Sequence, residues 1–347
     1  MARYQRPTSR RPTMVDVAHR AGVSLKTVSR VVNGEDGVSG ELVARVADAV
    51  AALGYRPDDR ARRLRRAESR TGTIGFVLVD VANPFFSSTL RGIEDVARSR
   101  HCLVLAGSTD GSEMRERQLV EAFIDRRLDG LIVVPSGRGL GALAAEIELG
   151  TPVVILDLEM DTDVALDLVR SDHYGGAAAA TRHLLANGHR DIAYMGDDRS
   201  IFSARLRLDA FRDVMRSEGL DLSDGRIVLG SHSVDEWCEL ALAVFGAPSR
   251  PTAVFTGQNF VTMGAVRALH ELGLQHRVAM VGFDEIDMAE SLDPGITVIP
   301  QDPRDLGRRA AELLFDRIAG DDRPPTRDIV VHPLIERGSG EIRPEAS

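Results

Sequence analysis

The chain of 347 residues is short of the features that mark secreted, membrane-bound or catalytic proteins. Its two cysteines, Cys102 and Cys238, lie far apart and offer neither a disulfide framework nor metal-ligand spacing, so a reducing, intracellular setting is expected. No run approaches the roughly 18 apolar residues that read as a membrane span. The charged opening MARYQRPTSRRP is not followed by the apolar core of a secretory signal, so a cytoplasmic protein with no membrane partner is expected. The phosphate loop G-x-x-x-x-G-K-[ST], HExxH and G-x-S-x-G are all absent, and GRGLG at Gly137 to Gly141 does not fit GxGxxG. The nine histidines are dispersed. His183 and His189, in HLLANGH, read as a helix end and interior packing rather than metal ligands. No catalytic residue, cofactor or metal is therefore expected.

Lysine is the scarcest charge: Lys26 stands alone beside 42 arginines. The charge is also unevenly placed. Residues 1–70 carry 15 basic against 8 acidic side chains, whereas the remainder carries 28 against 44, within an overall net charge of −9. A basic head on an acidic body is the electrostatic footprint of nucleic-acid binding, because the head gains from counterion release while the body resists unspecific adsorption.

The head has helical punctuation. Thr13 with Asp16 forms a capping pattern for a first helix with Val15, Val17 and Ala18 inward, ended by Gly22. Ser24 can cap a second helix whose Leu25, Val28, Val31 and Val32 make an apolar stripe and leave Lys26, Thr27, Ser29 and Arg30 outside. A third helix begins near Ser39, buries Leu42, Val43, Val46, Val50 and Leu53, and stops at Gly54. Two short helices joined by a glycine turn are a helix-turn-helix signature.

GVSLKTVSRVVNG followed by VSGELVARVADAVAALGYRPDDRARRLRR resembles the head and hinge of the lactose-repressor (LacI) family of bacterial transcription regulators, from Thr13 to Arg66. The resemblance implies that Leu25 and Lys26 open the recognition helix and, with Arg30, face base edges in the major groove. It implies phosphate-positioning roles for Ser24, Thr27, Ser29 and Asn33. In physical terms a helix N-terminus presents its amides to phosphate and a basic side chain can donate to guanine, while Leu25 offers only an apolar contact such as to a thymine methyl.

Asp58 to Arg66 is nine residues, below the roughly 12 to 15 a helix needs in water, and its arginines repel one another. It is expected to be disordered when free and helical on operator DNA, with a flexible arginine-rich linker as the alternative. The family resemblance gives the leucine at Leu64 the role of minor-groove wedge, Ala61 that of a small residue letting two hinges pack, and Arg65 a place among the hinge cations. Asp58 stands where the family usually has asparagine and can cap the hinge helix instead.

From Thr71 the pattern becomes alternating β-rich runs and helices, which indicates parallel α/β sheets. The expected strands are Thr73 to Val79, Cys102 to Gly107, Gly130 to Pro135, Val153 to Leu158, Ile192 to Gly196, Ala253 to Gly257 and Val278 to Asp284. A body of this length exceeds one core and calls for two subdomains. The resemblance implies a periplasmic-binding-protein-like fold of two doubly wound sheets crossed three times, near residues 171, 300 and 327. The expected organisation is a disordered basic arm at 1–12, a DNA-binding head at 13–57, hinge and linker at 58–70, an effector and dimerisation domain at 71–337 and a tail at 338–347. The domain's first subdomain is 71–171 with 301–326, and its second is 172–300 with 327–337.

Ligands in open α/β sheets sit beyond the carboxyl ends of the strands. By the resemblance the cleft there is lined by Asn83 and Phe85 of DVANPFF, Asp157, Ser203 and Arg207 of SARLRLDAF, Asp284 and Gln301. Carboxylates and a guanidinium converging in a cleft suit a small polyol. Gln258 and Phe260 are added because QNF stands where many members read Asn-Asp, and the lost carboxylate and added ring suit a less polar or different ligand. His232 and Trp237 lie near a loop that often supplies an aromatic wall, with plain packing the alternative for Trp237.

The function expected is a ligand-controlled transcription regulator, most simply a repressor answering to a sugar. It would act as a homodimer on a pseudo-palindromic operator, since one short helix reads too few bases. EIRPEAS carries no leucine heptads, so a dimer rather than a tetramer is expected. The alternative is an intracellular solute-binding protein of the same cleft fold without operator function. Inducer and corepressor remain equal readings.

Overall fold

The computed structural model describes residues 12–33, 35, 37–55, 70–137, 141, 143–159, 163–220, 226–230 and 233–345. The hinge, with Ala61, Leu64 and Arg65, the basic arm through residue 11, and His232 lie outside these residues. The chain divides into two compact units, residues 1–71 and 72–347.

The first unit contains helices α1 (Met14–Ala21), α2 (Leu25–Val32) and α3 (Gly40–Leu53). The expected signals set their ends. Thr13 and Asp16 form a reciprocal capping box, Ser24 caps α2, and Gly22 and Gly54 take left-handed conformations after α1 and α3. Val17, Ala18, Val28, Val46, Ala49 and Tyr55 form the small core. Two inward assignments fail: Val15 is 60% exposed and Val43 is 41% exposed. Helices of two or four turns around so small a centre bury only a narrow stripe, and Ala21 and Ala49 occupy it instead.

The second unit holds two wholly parallel sheets. The first has six strands in the order β11-β5-β4-β3-β1-β2, namely Arg327–Val330, Asp167–Ser171, Val153–Leu156, Leu131–Val133, Thr73–Leu78 and Leu103–Ser108. The second has five in the order β10-β9-β8-β6-β7, namely Thr297–Ile299, Ala279–Phe283, Ala253–Thr256, Ile192–Gly196 and Ile227–Leu229. Both are sandwiched, so their central strands are buried and apolar on both faces, while the edge strands β2 and β11 are partly exposed. Ile74, Phe76 and Leu78 of β1 pack under α4 (Pro84–Ser99) and α11 (Pro303–Ala319), while Val77 faces the opposite side with α5 (Glu113–Asp125) and α6 (Leu143–Glu148). In the second sheet Ile192 and Tyr194 face α7 (His173–Ala186) and α8 (Phe202–Ser217), and Ala193 and Met195 face α9 (Val234–Phe245) and α10 (Asn259–Glu271).

Crossings follow β5 and β10, as expected, but the third does not lie near 327. Residues 327–330 pair with β5 in the first sheet, and the chain reaches the second only at the Ile335 to Val298 bridge. Residues 338–345 are no loose tail. Ser339 Oγ donates to the Met280 carbonyl at 2.7 Å, and His189 Nε2 lies 2.7 Å from the Ile342 carbonyl. His189 is fully buried, as interior packing requires, and burial holds its pKa below the ordinary value. His183 instead meets Glu341 and Glu336 at 2.5 and 3.8 Å, with Glu341 also accepting from Thr297 and Gly338, which fastens the C-terminal segment. Among the described residues no helix is long and apolar enough to cross a membrane.

Candidate ligand cleft and nucleic-acid interface

In the head, the turn between α1 and α2 is fixed from α3. Arg45 Nη2 donates to the carbonyls of Ala21 at 2.7 Å and Gly22 at 3.3 Å, which satisfies the end of α1. On α2, Ser24 Oγ accepts the Thr27 amide at 3.1 Å and shares a proton with Thr27 Oγ1 at 2.9 Å. Asn33 Nδ2 donates to Ser29 Oγ at 3.3 Å, and Arg30 is ion-paired with Glu35 at 3.6 Å. The α2 N-terminus therefore presents Leu25, 49% exposed, and exposed Lys26 beside amides at the positive end of the helix dipole. An apolar side chain held in water next to a cation suits a groove that offers methyl groups and acceptor edges.

In the second unit the strand ends β1, β3, β4, β6, β8 and β9 open onto one cleft of about 1460 Å³. Asn83, Phe85, Asp157, Ser203, Arg207, Gln258, Phe260, Asp284 and Gln301 all line it. Each has a local reason to be there. Asn83 caps α4 through its Oδ1, which accepts the Phe85 amide at 3.0 Å and so turns Phe85 inward against Phe86. Asp157 and Asp284 follow β4 and β9 in positive-φ conformations, 65° and 75°, that aspartate tolerates better than most residues. Gln258 caps α10, accepting from Phe260 and Val261, and its amide reaches Asp197 at 3.2 Å.

The floor is a buried polar network. Arg207 Nη1 donates to the Gly257 carbonyl at 2.5 Å and Nη2 to His173 Nδ1 at 3.1 Å, and its guanidinium lies 4.0 Å from the centre of the Phe283 ring. Asp284 accepts from the Gln301 amide and, at 3.3 Å, from the Asn259 backbone. Two buried side-chain atoms here have no partner, Arg207 Nε and Gln301 Oε1, and Asp157 Oδ1 has a long contact of 3.4 Å with His173 Nε2 that leaves acceptor capacity over. Two acceptors with capacity to spare and a bare donor beside a cleft are complementary to adjacent hydroxyls. Burial pushes the Asp157 carboxyl up, but the His173 hydrogen bond and the charges of Arg207 and Arg170 outweigh it and hold the pKa below the ordinary carboxylate range.

The wider lining is acidic. Asp80, Asp110, Glu113, Asp157 and Glu159 come from the first sheet's side and Asp197, Asp198 and Asp284 from the second, against Arg205 and Arg207. Trp237 does not reach the cleft; it is fully buried in the core under α10. Two residues of the site were not expected there: Asn259, whose Nδ2 donates to Asn83 Oδ1 across the cleft at 2.9 Å, and His173 beneath it. Asn259 stood beside the chosen Gln258 and Phe260, whereas His173 gave no periodic or motif signal.

Residues 13–58 match the bacterial regulatory proteins, lacI family, and residues 181–340 match the periplasmic binding protein-like domain. Over 331 residues the chain is 33% identical to the ribose operon repressor of Escherichia coli (strain K12), which covers 94% of this chain and 99% of that protein. The chain belongs to the lacI family. It is also 30% identical over 334 residues to the HTH-type transcriptional repressor CytR of the same strain, covering 96% of this chain and 97% of that one. The lac repressor dimer bound to operator and the anti-inducer ONPF matches with a TM-score of 0.81 at 26% identity, over 95% of this chain and 99% of that one. As a lacI-family member the protein is a ligand-responsive, DNA-binding transcriptional regulator and not an enzyme, which decides against the plain solute-binding reading.

Proposed function

We propose that this lacI-family repressor binds an uncharged, polyhydroxylated effector of monosaccharide size in the cleft, and that occupancy adjusts the grip of two paired heads on a pseudo-palindromic operator. The observation that carries the reading is the set of buried, incompletely satisfied atoms at Asp157, Arg207 and Gln301. These atoms are sealed from solvent in this conformation, so the cleft side chains must shift for hydroxyls to donate to the oxygens and accept from the guanidinium, which removes the cost of leaving them unpaired. Eight carboxylates around the cleft against two guanidiniums disfavour a phosphate. The volume of about 1460 Å³ exceeds the roughly 300 to 1,000 Å³ of a typical ligand pocket, which leaves room for the halves to close. The relative named for the ribose operon makes D-ribose the first compound to test.

On the DNA side Leu25, Lys26 and Arg30 read base edges, Ser24, Thr27, Ser29 and Asn33 set the phosphate register, Leu64 acts at the minor groove, Ala61 lets the two hinges pack and Arg65 adds to the hinge's positive charge. A homodimer in the cytoplasm supplies the two heads, as in the lac repressor dimer on its operator. Leu103 and Leu105, exposed on edge strand β2, give a second copy an apolar surface.

The test pairs two measurements. A thermal-shift screen should favour neutral sugars over their phosphates, and a phosphate that stabilises more strongly than its parent sugar would refute the ligand class. With an operator selected from random duplexes, Lys26→Ala should relax sequence preference by about 1 to 3 kcal/mol at its base pair. Unchanged preference would remove Lys26 from the reading surface.

A further inference from the structure

His173 is fully buried at the start of α7, just after the chain leaves the first sheet. Its ring touches a charged residue on either side. Nδ1 is 3.1 Å from Arg207 Nη2, and Nε2 is 3.1 Å from the Asp157 carbonyl and 3.4 Å from Asp157 Oδ1. A guanidinium only donates, so Nδ1 must accept and the ring proton resides on Nε2, from which it is donated to Asp157. The Phe283 ring, 6.0 Å away centre to centre, packs against the imidazole.

With Nη2 held by His173 and Nη1 by Gly257, Arg207 has little freedom to turn, and its Nε remains bare. The same imidazole fixes the peptide of Asp157 and touches its Oδ1, which keeps acceptor capacity for a ligand. Asp157 ends a strand of the first sheet and Arg207 belongs to a helix on the second, so one ring sets the spacing between a donor and an acceptor from the two halves of the cleft.

We infer that His173 is a positioning residue that determines effector specificity, holding Arg207 and Asp157 at the separation that selects the ligand's hydroxyl pattern. The inference rests on the cleft being the effector site. It assigns the imidazole a directional role that an apolar side chain of similar size could not fill.

Two measurements on the full-length protein test it. Nitrogen NMR of histidine-labelled protein, without ligand, should show the His173 ring with a bare Nδ1 and a protonated Nε2, and Arg207→Ala should shift the Nδ1 resonance. The opposite tautomer, or indifference to Arg207→Ala, overturns the proposal. Calorimetric titration with D-ribose should then separate three variants. His173→Asn places an amide oxygen near the Nδ1 position and should stay within about threefold of the parent affinity, while His173→Gln, which mimics Nε2, and His173→Phe should each lose about tenfold or more. Equal affinity in all three variants, whether retained or lost, overturns the positioning role. If D-ribose fails to bind the parent protein, the ribose reading of the cleft fails, and the NMR result still decides whether His173 holds Arg207.

Discussion

Arg207 is a charge buried without a carboxylate bonded to it, since its outer nitrogens are held by a backbone carbonyl and an imidazole. Neutral acceptors recover only part of the hydration lost on burial, so the residue is costly to the apo fold and has its reason in the ligand. Arg207→Met is therefore expected to leave the melting temperature within about 4 °C of the parent while abolishing the ligand-induced thermal shift. A retained shift would move the effector elsewhere. A second single-residue effect concerns acid. Burial lowers the His189 pKa below its ordinary 6.5, so between those two values the unfolded chain binds the extra proton and the folded one does not. Stability is thus intact above about pH 6.5 and falls as acid is added until the folded pKa is passed. His332, also lowered by burial, adds in the same direction. Melting curves from about pH 7.5 to pH 5 should show this loss. His189→Asn, tested the same way, should show a lower midpoint and a shallower slope. An unchanged slope would mean that His189 does not carry the effect.

Between elements, the closest approach is that of α4 and α11. A Cβ at Gly92 would overlap the Arg304 carbonyl, and one at Gly307 would overlap that of Thr89, so each helix needs its glycine where the other passes. Gly92→Ala should cost about 1 to 3 kcal/mol, since rigid backbone must move, and denaturant melts with an unchanged midpoint would show that the helices can part freely. Which elements could be read from the sequence follows from their length and surroundings. Caps at Thr13, Ser24, Gly22 and Gly54 were legible because capping is decided within a few residues. Seven strands, carried by apolar runs such as GLIVVP and VVILDL, were legible for the same reason. Strands β5, β7, β10 and β11 were not; β5 and β11 contain Asp167, Arg170, Arg327 and Asp328, which break an apolar run. Asp167 is tolerated inside its sheet because Arg317 of α11 meets it at 2.7 Å and the Thr326 amide donates to it at 2.7 Å, partners 150 and 159 residues away. Missing β11 also displaced the third crossing.

At the scale of the whole effector unit, the cleft residues were recoverable through the family resemblance, and most of them close a strand or open a helix at the side of parallel sheets where strand ends converge. The links between halves were not recoverable, because they depend on how three crossings bring distant segments together. Asn83 and Asn259 show this most directly. Asn83 Oδ1 accepts both the Phe85 amide and Asn259 Nδ2, so one oxygen caps a helix on the first sheet and ties it to a helix on the second. Asn259→Ala removes the tie but keeps the start of α10, which Gln258 caps independently. A part-buried hydrogen bond of this kind contributes about 1 kcal/mol, so the ligand-free unit should populate wider openings, visible as a larger radius of gyration by small-angle scattering. Effector affinity should change by about fivefold, which is that energy expressed as a binding ratio. Linkage then fixes a further result without assuming inducer or corepressor: the factor by which effector alters operator affinity must equal the factor by which operator alters effector affinity, in the parent and in Asn259→Ala alike. If Asn259→Ala changes neither the scattering radius nor effector affinity, the two halves are held by other contacts, and the asparagine pair contributes nothing to the opening of the cleft.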